Sequence, residues 1–147
     1  MASFLDYLDK KHGLIPAGDH PFEIVPKSAR LFESKDKTVN GVVCRVKITD
    51  GPEAGREGDI SLVLGGEYDG LIQDAIQVIR PWAESVRADL SPERIKDDYT
   101  RLIAALRIAG AGKRTIGAFK HDDRKGKKHL TLVSVRLDDG GDDNGPF

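Results

Sequence analysis

Between Val42 and Thr49 the chain alternates: Val42, Cys44, Val46 and Ile48 are apolar, and of the residues between and after them Arg45, Lys47 and Thr49 are polar. A period of two over eight residues does not suit a helix and requires an extended strand with one face turned to a core. Arg45 and Lys47 then belong to the outward face. The flanks agree with this. Phe22 to Glu33 is rich in extended-chain formers, and the stretch from Ser34 to Gly41 supplies turn chemistry ending in Asn-Gly. On the other side Asp50-Gly51-Pro52-Glu53-Ala54-Gly55 reads as a turn, and Ile60, Leu62 and Leu64 mark the inner face of a third strand closed by Gly65-Gly66.

The period then lengthens. Leu71, Ile72, Ala75, Ile76 and Ile79 have helix spacing, Pro81 interrupts them, and Ser91-Pro92-Glu93 starts a second helix with a cap and a first-turn proline. Ile95, Tyr99, Leu102, Ile103, Leu106 and Ile108 give that helix an apolar stripe, and Gly110 stops it. Arg114 to His121 and His129 to Leu137 read as two further strands around a turn from Asp122 to Lys128. Upstream, Ser3-Phe4-Leu5-Asp6 predicts a short helix near residues 4–11, followed by an extended segment from Leu14 to Pro21. Three strands, helix, two strands is the element order of the oligonucleotide-binding fold (OB fold), a five-stranded Greek-key barrel. The expected class is therefore mainly β with helices. Residues 1–137 form one such domain in this reading, and residues 138–147 form a flexible acidic tail; a chain of 147 residues has room for one core.

The formal net charge of −1 conceals an asymmetry. Asp138, Asp139, Asp142 and Asp143 fall in the last ten residues without a compensating Lys or Arg, so the body is basic. Eight Lys or Arg residues between Lys113 and Arg136 face only Asp122 and Asp123. No apolar run is long enough to span a bilayer, and the N-terminus lacks the basic start and apolar stretch of a signal peptide. No membrane partner and a cytoplasmic location are expected. Cys44, the single cysteine, sits on the apolar face and reads as a small buried hydrophobe.

The segment Asp142-Asp143-Asn144-Gly145-Pro146-Phe147 resembles the tail tip of bacterial-type single-stranded DNA-binding proteins, with Gly145 where that family has an aliphatic residue. Such a tip offers a ring to an apolar pocket, and acids to a neighbouring Arg or Lys. Residues 15–64, with Ile15-Pro16-Ala17-Gly18, the Glu33-Ser34-Lys35 turn and Thr49-Asp50-Gly51-Pro52-Glu53-Ala54-Gly55-Arg56, look like small phage-encoded DNA-binding barrels. The resemblance implies sequence-tolerant binding of single-stranded DNA in the host cytoplasm. It further implies recruitment of replication or recombination proteins through Asp142, Asp143, Pro146 and Phe147.

Binding single strands needs cations for phosphates and rings for bases. The candidates are Lys35 and Lys37 in the first loop, Arg45 and Lys47 on the outward face, and Lys120, Arg124, Lys125, Lys127 and Lys128 around the last turn. Phe32 and Phe119 are the candidate stacking rings, with core packing as the competing reading for both. Trp82 is left unassigned between packing the helix on the barrel and standing exposed.

No catalytic residue, metal ligand or cofactor is expected. Gly110-Ala111-Gly112-Lys113-Arg114-Thr115 has Arg107 where a phosphate loop requires glycine and follows a helix rather than opening one. His12, His20, His121 and His129 show no metal-ligand spacing. The alternatives are a protein–protein adaptor on the same fold and, less favoured, a small nuclease. RNA in place of DNA, and a homo-oligomer formed through edge strands, both stay open.

Overall fold

A computed structural model of the chain describes residues 15–96, 98–124 and 127–138. The helix expected near residues 4–11 and the tail beyond Asp138 lie outside the described residues. The elements are β1 (Gly18–Ile24), β2 (Arg30–Glu33), β3 (Val39–Ile48), β4 (Glu57–Gly66), α1 (Asp69–Val86), α2 (Pro92–Ile95), α3 (Tyr99–Gly110), β5 (Thr115–Arg124) and β6 (Lys127–Leu137).

All ladders are antiparallel. β3 is bonded to β4 along one edge, and along the other to β2 near its start and β1 near its end. β1 and β2 are thus two arms of a single line, where sequence reading expected one strand from Phe22 to Glu33. The interruption follows from Pro26, which has no N–H to donate, and from Lys27, whose φ of 63° turns the chain out of the ladder. Ser28 repairs the gap: its hydroxyl donates to Val25 O at 2.7 Å and accepts from Arg45 N at 3.0 Å. A side chain here stands in for a missing strand residue, so the backbone N–H of Arg45 keeps a partner.

β1 pairs with β5, and β5 with β6, so the path of strands runs β4-β3-β1-β5-β6. Four antiparallel steps leave β4 and β6 running in the same direction at the two ends of this path. The sheet curls until these ends meet near Gly58, where an added Cβ would stand 3.0 Å from Leu130 Cδ2 and 3.4 Å from Ile15 Cδ1. Among the described residues no ladder joins β4 to β6, and α1 packs against both. The result is a mainly β molecule, a curled antiparallel half-barrel with helices across it, compatible with a barrel fold.

The core lies inside the curl. Phe22, Ile24, Val42, Cys44, Val46, Ile48, Ile60 and Leu62 enter it from the first strands, Phe119, Leu130, Leu132 and Val135 from the last. Trp82 is 2% exposed and meets Phe22 edge-on at 5.6 Å, which assigns it to packing the helix on the sheet. Burial pushes the Cys44 thiol up to about 12, as expected for an apolar strand residue. Pro81 does not interrupt α1, contrary to the sequence expectation. The carbonyl it deprives of a donor belongs to Gln77, and both residues are exposed, so the lost bond falls on the solvent side of the helix rather than in the core. The second helix, expected to run unbroken from Pro92, is instead divided. Lys96 takes a φ of 53°, and Asp98 caps α3 afresh by accepting from Thr100 N at 3.0 Å.

Replacing Trp82 with Ala removes the largest side chain of the core. We expect a loss of about 3–5 kcal/mol, read as a lower urea midpoint with an unchanged denaturant slope.

Candidate nucleic-acid interface

Cross-strand partners in an antiparallel ladder share a face, so the register of β2, β3 and β4 states which side chains meet on the outer surface. The rows are Phe32-Gly41-Val63, Arg30-Val43-Ser61, Arg45-Asp59 and Glu23-Lys47-Glu57. Arg45 and Lys47 are exposed there, as their alternation requires. Lys47 lies in register between Glu23 and Glu57, and Arg45 is ion-paired. Arg45 Nε lies 3.1 Å from Asp59 Oδ1 and its Nη1 3.6 Å from Glu57 Oε1, and Arg30 Nη2 reaches the other oxygen of Asp59 at 3.6 Å. Three cations therefore share the middle of this face with three carboxylates, and the surface is close to neutral.

The remaining candidate cations lie away from this centre, on two segments. The turn between β2 and β3 exposes Lys35 and Lys37 on either side of Asp36. This turn is tightly organised: Asp36 Oδ1 accepts from the hydroxyls of Ser34 at 2.8 Å and Thr38 at 2.7 Å and from Thr38 N at 3.1 Å, while Ser34 N donates to Val39 O at 2.9 Å. These donors, the Thr38 hydroxyl foremost, hold the Asp36 carboxyl at about 2, below the usual carboxylate range. Lys37 at a φ of 61° completes the reversal.

The second segment is a ribbon. β1 accompanies β5 only as far as the Gly18–Phe119 pair, whereas β5 and β6 stay paired to Arg124–Lys127. The ribbon projects beyond β1, and Arg124, Lys127 and Lys128 all sit within its ladder, with Lys128 opposite Asp123. Of the turn expected from Asp122 to Lys128, the described residues, 122–124 and 127–128, are strand. Lys125 lies outside the described residues. Lys120 is exposed on the ribbon with its ammonium 3.8 Å from Asp122.

The two rings part company. Phe32 is half-buried on the outer face, next to the side-chain-free Gly41. Phe119 is 3% exposed and packs edge-on against Phe22 at 5.6 Å, so the stacking role assigned to it is corrected: it is a core residue, because its strand position places it on the inner face. The tail residues Asp142, Asp143, Pro146 and Phe147 lie outside the described residues.

Arg30, Glu57 and Asp59 share this face with Arg45 and were missed by sequence reasoning. A signal for Asp59 was present, since it alternates with Ile60 and Leu62 and had to face outward. Its pairing with Arg45 depends on the register that the short Asp50–Arg56 turn imposes. Among the described residues no cluster of three His, Cys, Asp or Glu side chains is arranged to hold a metal ion, and no helix is long and apolar enough to cross a membrane. No protein-family model matches the chain, and no curated protein sequence matches it.

The Asp36 turn has a definite pH response. Because the folded-state pKa is depressed, its contribution is fully present above the unfolded value of about 3.9 and is lost as pH falls through about 2. The amide resonance of Thr38 should titrate with a midpoint near 2, and Asp36→Asn should abolish that titration and accelerate amide exchange at Thr38 and Val39.

Proposed function

We propose that the chain is a non-catalytic single-stranded DNA-binding protein whose half-barrel is an oligonucleotide-binding fold. With β1 and β2 read as one interrupted strand, the ladder order and the common direction of β4 and β6 agree with that five-stranded topology. The observation that carries the reading is the outer face of β2, β3 and β4. It presents a half-buried ring, Phe32, beside the exposed Lys35–Lys37 turn, with Arg30 and Arg45 further along the same face.

Each part has a physical task. Phosphates near these cations displace condensed counterions, which makes the affinity salt-dependent and indifferent to sequence. Bases stack on Phe32 through their faces, which every base possesses. In the middle of the lane, Arg30 and Arg45 exchange Asp59 for a phosphate, and bidentate geometry suits either anion. No cofactor or bond-making step is involved. The tail residues Asp142, Asp143, Pro146 and Phe147 recruit replication or recombination proteins in this proposal. The adaptor reading draws on one observation, the near-neutral centre of the same face, which suits a protein partner as well as a nucleic acid.

Fluorescence anisotropy with labelled thirty-nucleotide poly-dT and matched duplex, at low and moderate salt, tests the proposal. Single-strand binding should weaken with salt and exceed duplex binding. Phe32→Ala should cost about 1–3 kcal/mol. Asp59→Asn should tighten binding roughly fivefold at low salt, since a unit charge near a phosphate is worth about 1 kcal/mol in water. Absence of single-strand binding at low salt sinks the DNA reading and leaves the adaptor.

A further inference from the structure

Beside the second half of β1 a cavity of about 290 Å³ opens between that strand, the end of α3 and the turn leading into β5. Phe22, Trp82 and Leu106, all buried, supply its apolar lining, and Arg107, Lys113 and Glu23 line it as well. The volume suits one small ligand and not a length of chain.

One wall is an open strand edge. Val25 N donates to Arg45 O at 2.9 Å, so the backbone polar groups of Val25 point toward β3. Alternation turns those of Ile24 and Phe22 to the opposite edge, where the Phe22 carbonyl accepts from the Thr115 hydroxyl at 2.9 Å. The β1–β5 ladder ends at the Phe22–Thr115 pair, so no strand residue stands opposite Ile24. Ile24 is 6% exposed and lines the cavity, so its N–H and C=O meet a partner only from there.

The cations are equally open to a ligand. Arg107 is half-buried, and among the described residues it has neither an ion pair nor a hydrogen bond. Lys113 gives one of its three ammonium protons to Val86 O at 2.8 Å, which leaves two. Glu23 offsets part of this charge. A ligand that joins an anionic group to hydrogen-bond donors therefore fits better than a bare anion. A planar apolar ring with a donor and an acceptor side by side is the edge of an amino-bearing nucleobase, whose amino group donates and whose neighbouring ring nitrogen accepts. The Ile24 C=O and N–H are its complement, and a phosphate on the same molecule suits Arg107 and Lys113.

We infer that this cavity binds a single nucleoside monophosphate with adenine or cytosine as its base, the base edge on Ile24 and the phosphate on Arg107 and Lys113. Gly110-Ala111-Gly112-Lys113, which fails as a phosphate loop, enters the site as the wall that carries Lys113. The nucleotide is either free or the last residue of a strand, since both present the same chemistry. The site is separate from the outer-face lane and does not depend on it.

Titration of the nitrogen-15-labelled chain with dAMP, dCMP, dIMP and inorganic phosphate tests the assignment by amide shifts. In dIMP a carbonyl replaces the amino group and the ring nitrogen carries a proton, so it offers the Ile24 edge the reversed order. Saturable shifts at the Ile24 and Thr115 amides and the Trp82 indole are expected with dAMP and dCMP. Binding of dIMP should be weaker by about tenfold or more. Arg107→Gln should raise the dAMP Kd about tenfold, and the comparison of dAMP with dIMP on the unaltered chain stands whether or not that variant folds. Competition with dAMP by a 5′-phosphorylated oligo-dT bearing one 5′-terminal dA identifies a strand end as the source, and failure to compete identifies the free nucleotide. Equal binding of dAMP and dIMP, phosphate alone reproducing the dAMP shifts, shifts centred on Phe32 and Gly41 with Ile24 unmoved, or no shift at millimolar dAMP each overturns the assignment.

Discussion

β3 is hydrogen-bonded along both edges, and its alternation leaves a single acceptable register. A slip of one residue would carry Arg45 and Lys47 into the space held by Cys44 and Val46, with two unpaired charges in an apolar core. The neighbours are shaped to that strand. On the β4 side the ladder shifts between Asn40 and Gly41, where an added Cβ would fall 1.9 Å from Leu62 O, so only glycine allows the approach. On the other side Ser28 bridges the Pro26 interruption, and the line of β1 and β2 bends without leaving Arg45 N unpaired. The curl of the sheet and the composition of its outer face both follow from these local solutions.

Because the register sets the outer rows, it also sets the electrostatics. Lys47 falls between Glu23 and Glu57, and Arg45 falls opposite Asp59. Exposed pairs of this kind contribute little to stability, typically below about 1 kcal/mol each. Their consequence is spatial: they cancel charge in the middle of the face. The Asp36 turn then holds Lys35 and Lys37 on a backbone already ordered by four hydrogen bonds to Asp36 and Ser34, which on the proposed reading lowers the entropy lost when a phosphate binds there.

Period-two patterning made β3, β4 and the inner residues legible, because alternation is a local property of the chain. Arg45 and Lys47 were placed outward for the same reason. What escaped depended on partners distant in sequence. Asp59 could be read as exposed, yet its approach to both Arg30 and Arg45 required the ladder. Phe119 could have faced either way until the shift between Ala118 and Phe119 in the β5–β6 ladder was known. Pro81 carries a strong local signal for a break, and tertiary packing of Ala75, Val78, Ile79 and Trp82 overrides it. The ribbon was read as a turn because its cations suit a loop, whereas cross-strand pairing extends the ladder to Arg124 and Lys127.

On the proposed reading, the neutral centre of the lane changes what kind of binder this is. A face of uncompensated arginines would bind phosphate strongly and release it slowly. Here Arg30 and Arg45 already hold Asp59, so a phosphate gains only the difference between two anions, while the freed carboxylate returns to water. The centre of the lane then adds geometry more than affinity, and the exposed lysines beyond it supply the salt-sensitive attraction. A strand held chiefly by those lysines, over a single half-buried ring, can be handed on by lifting one contact at a time.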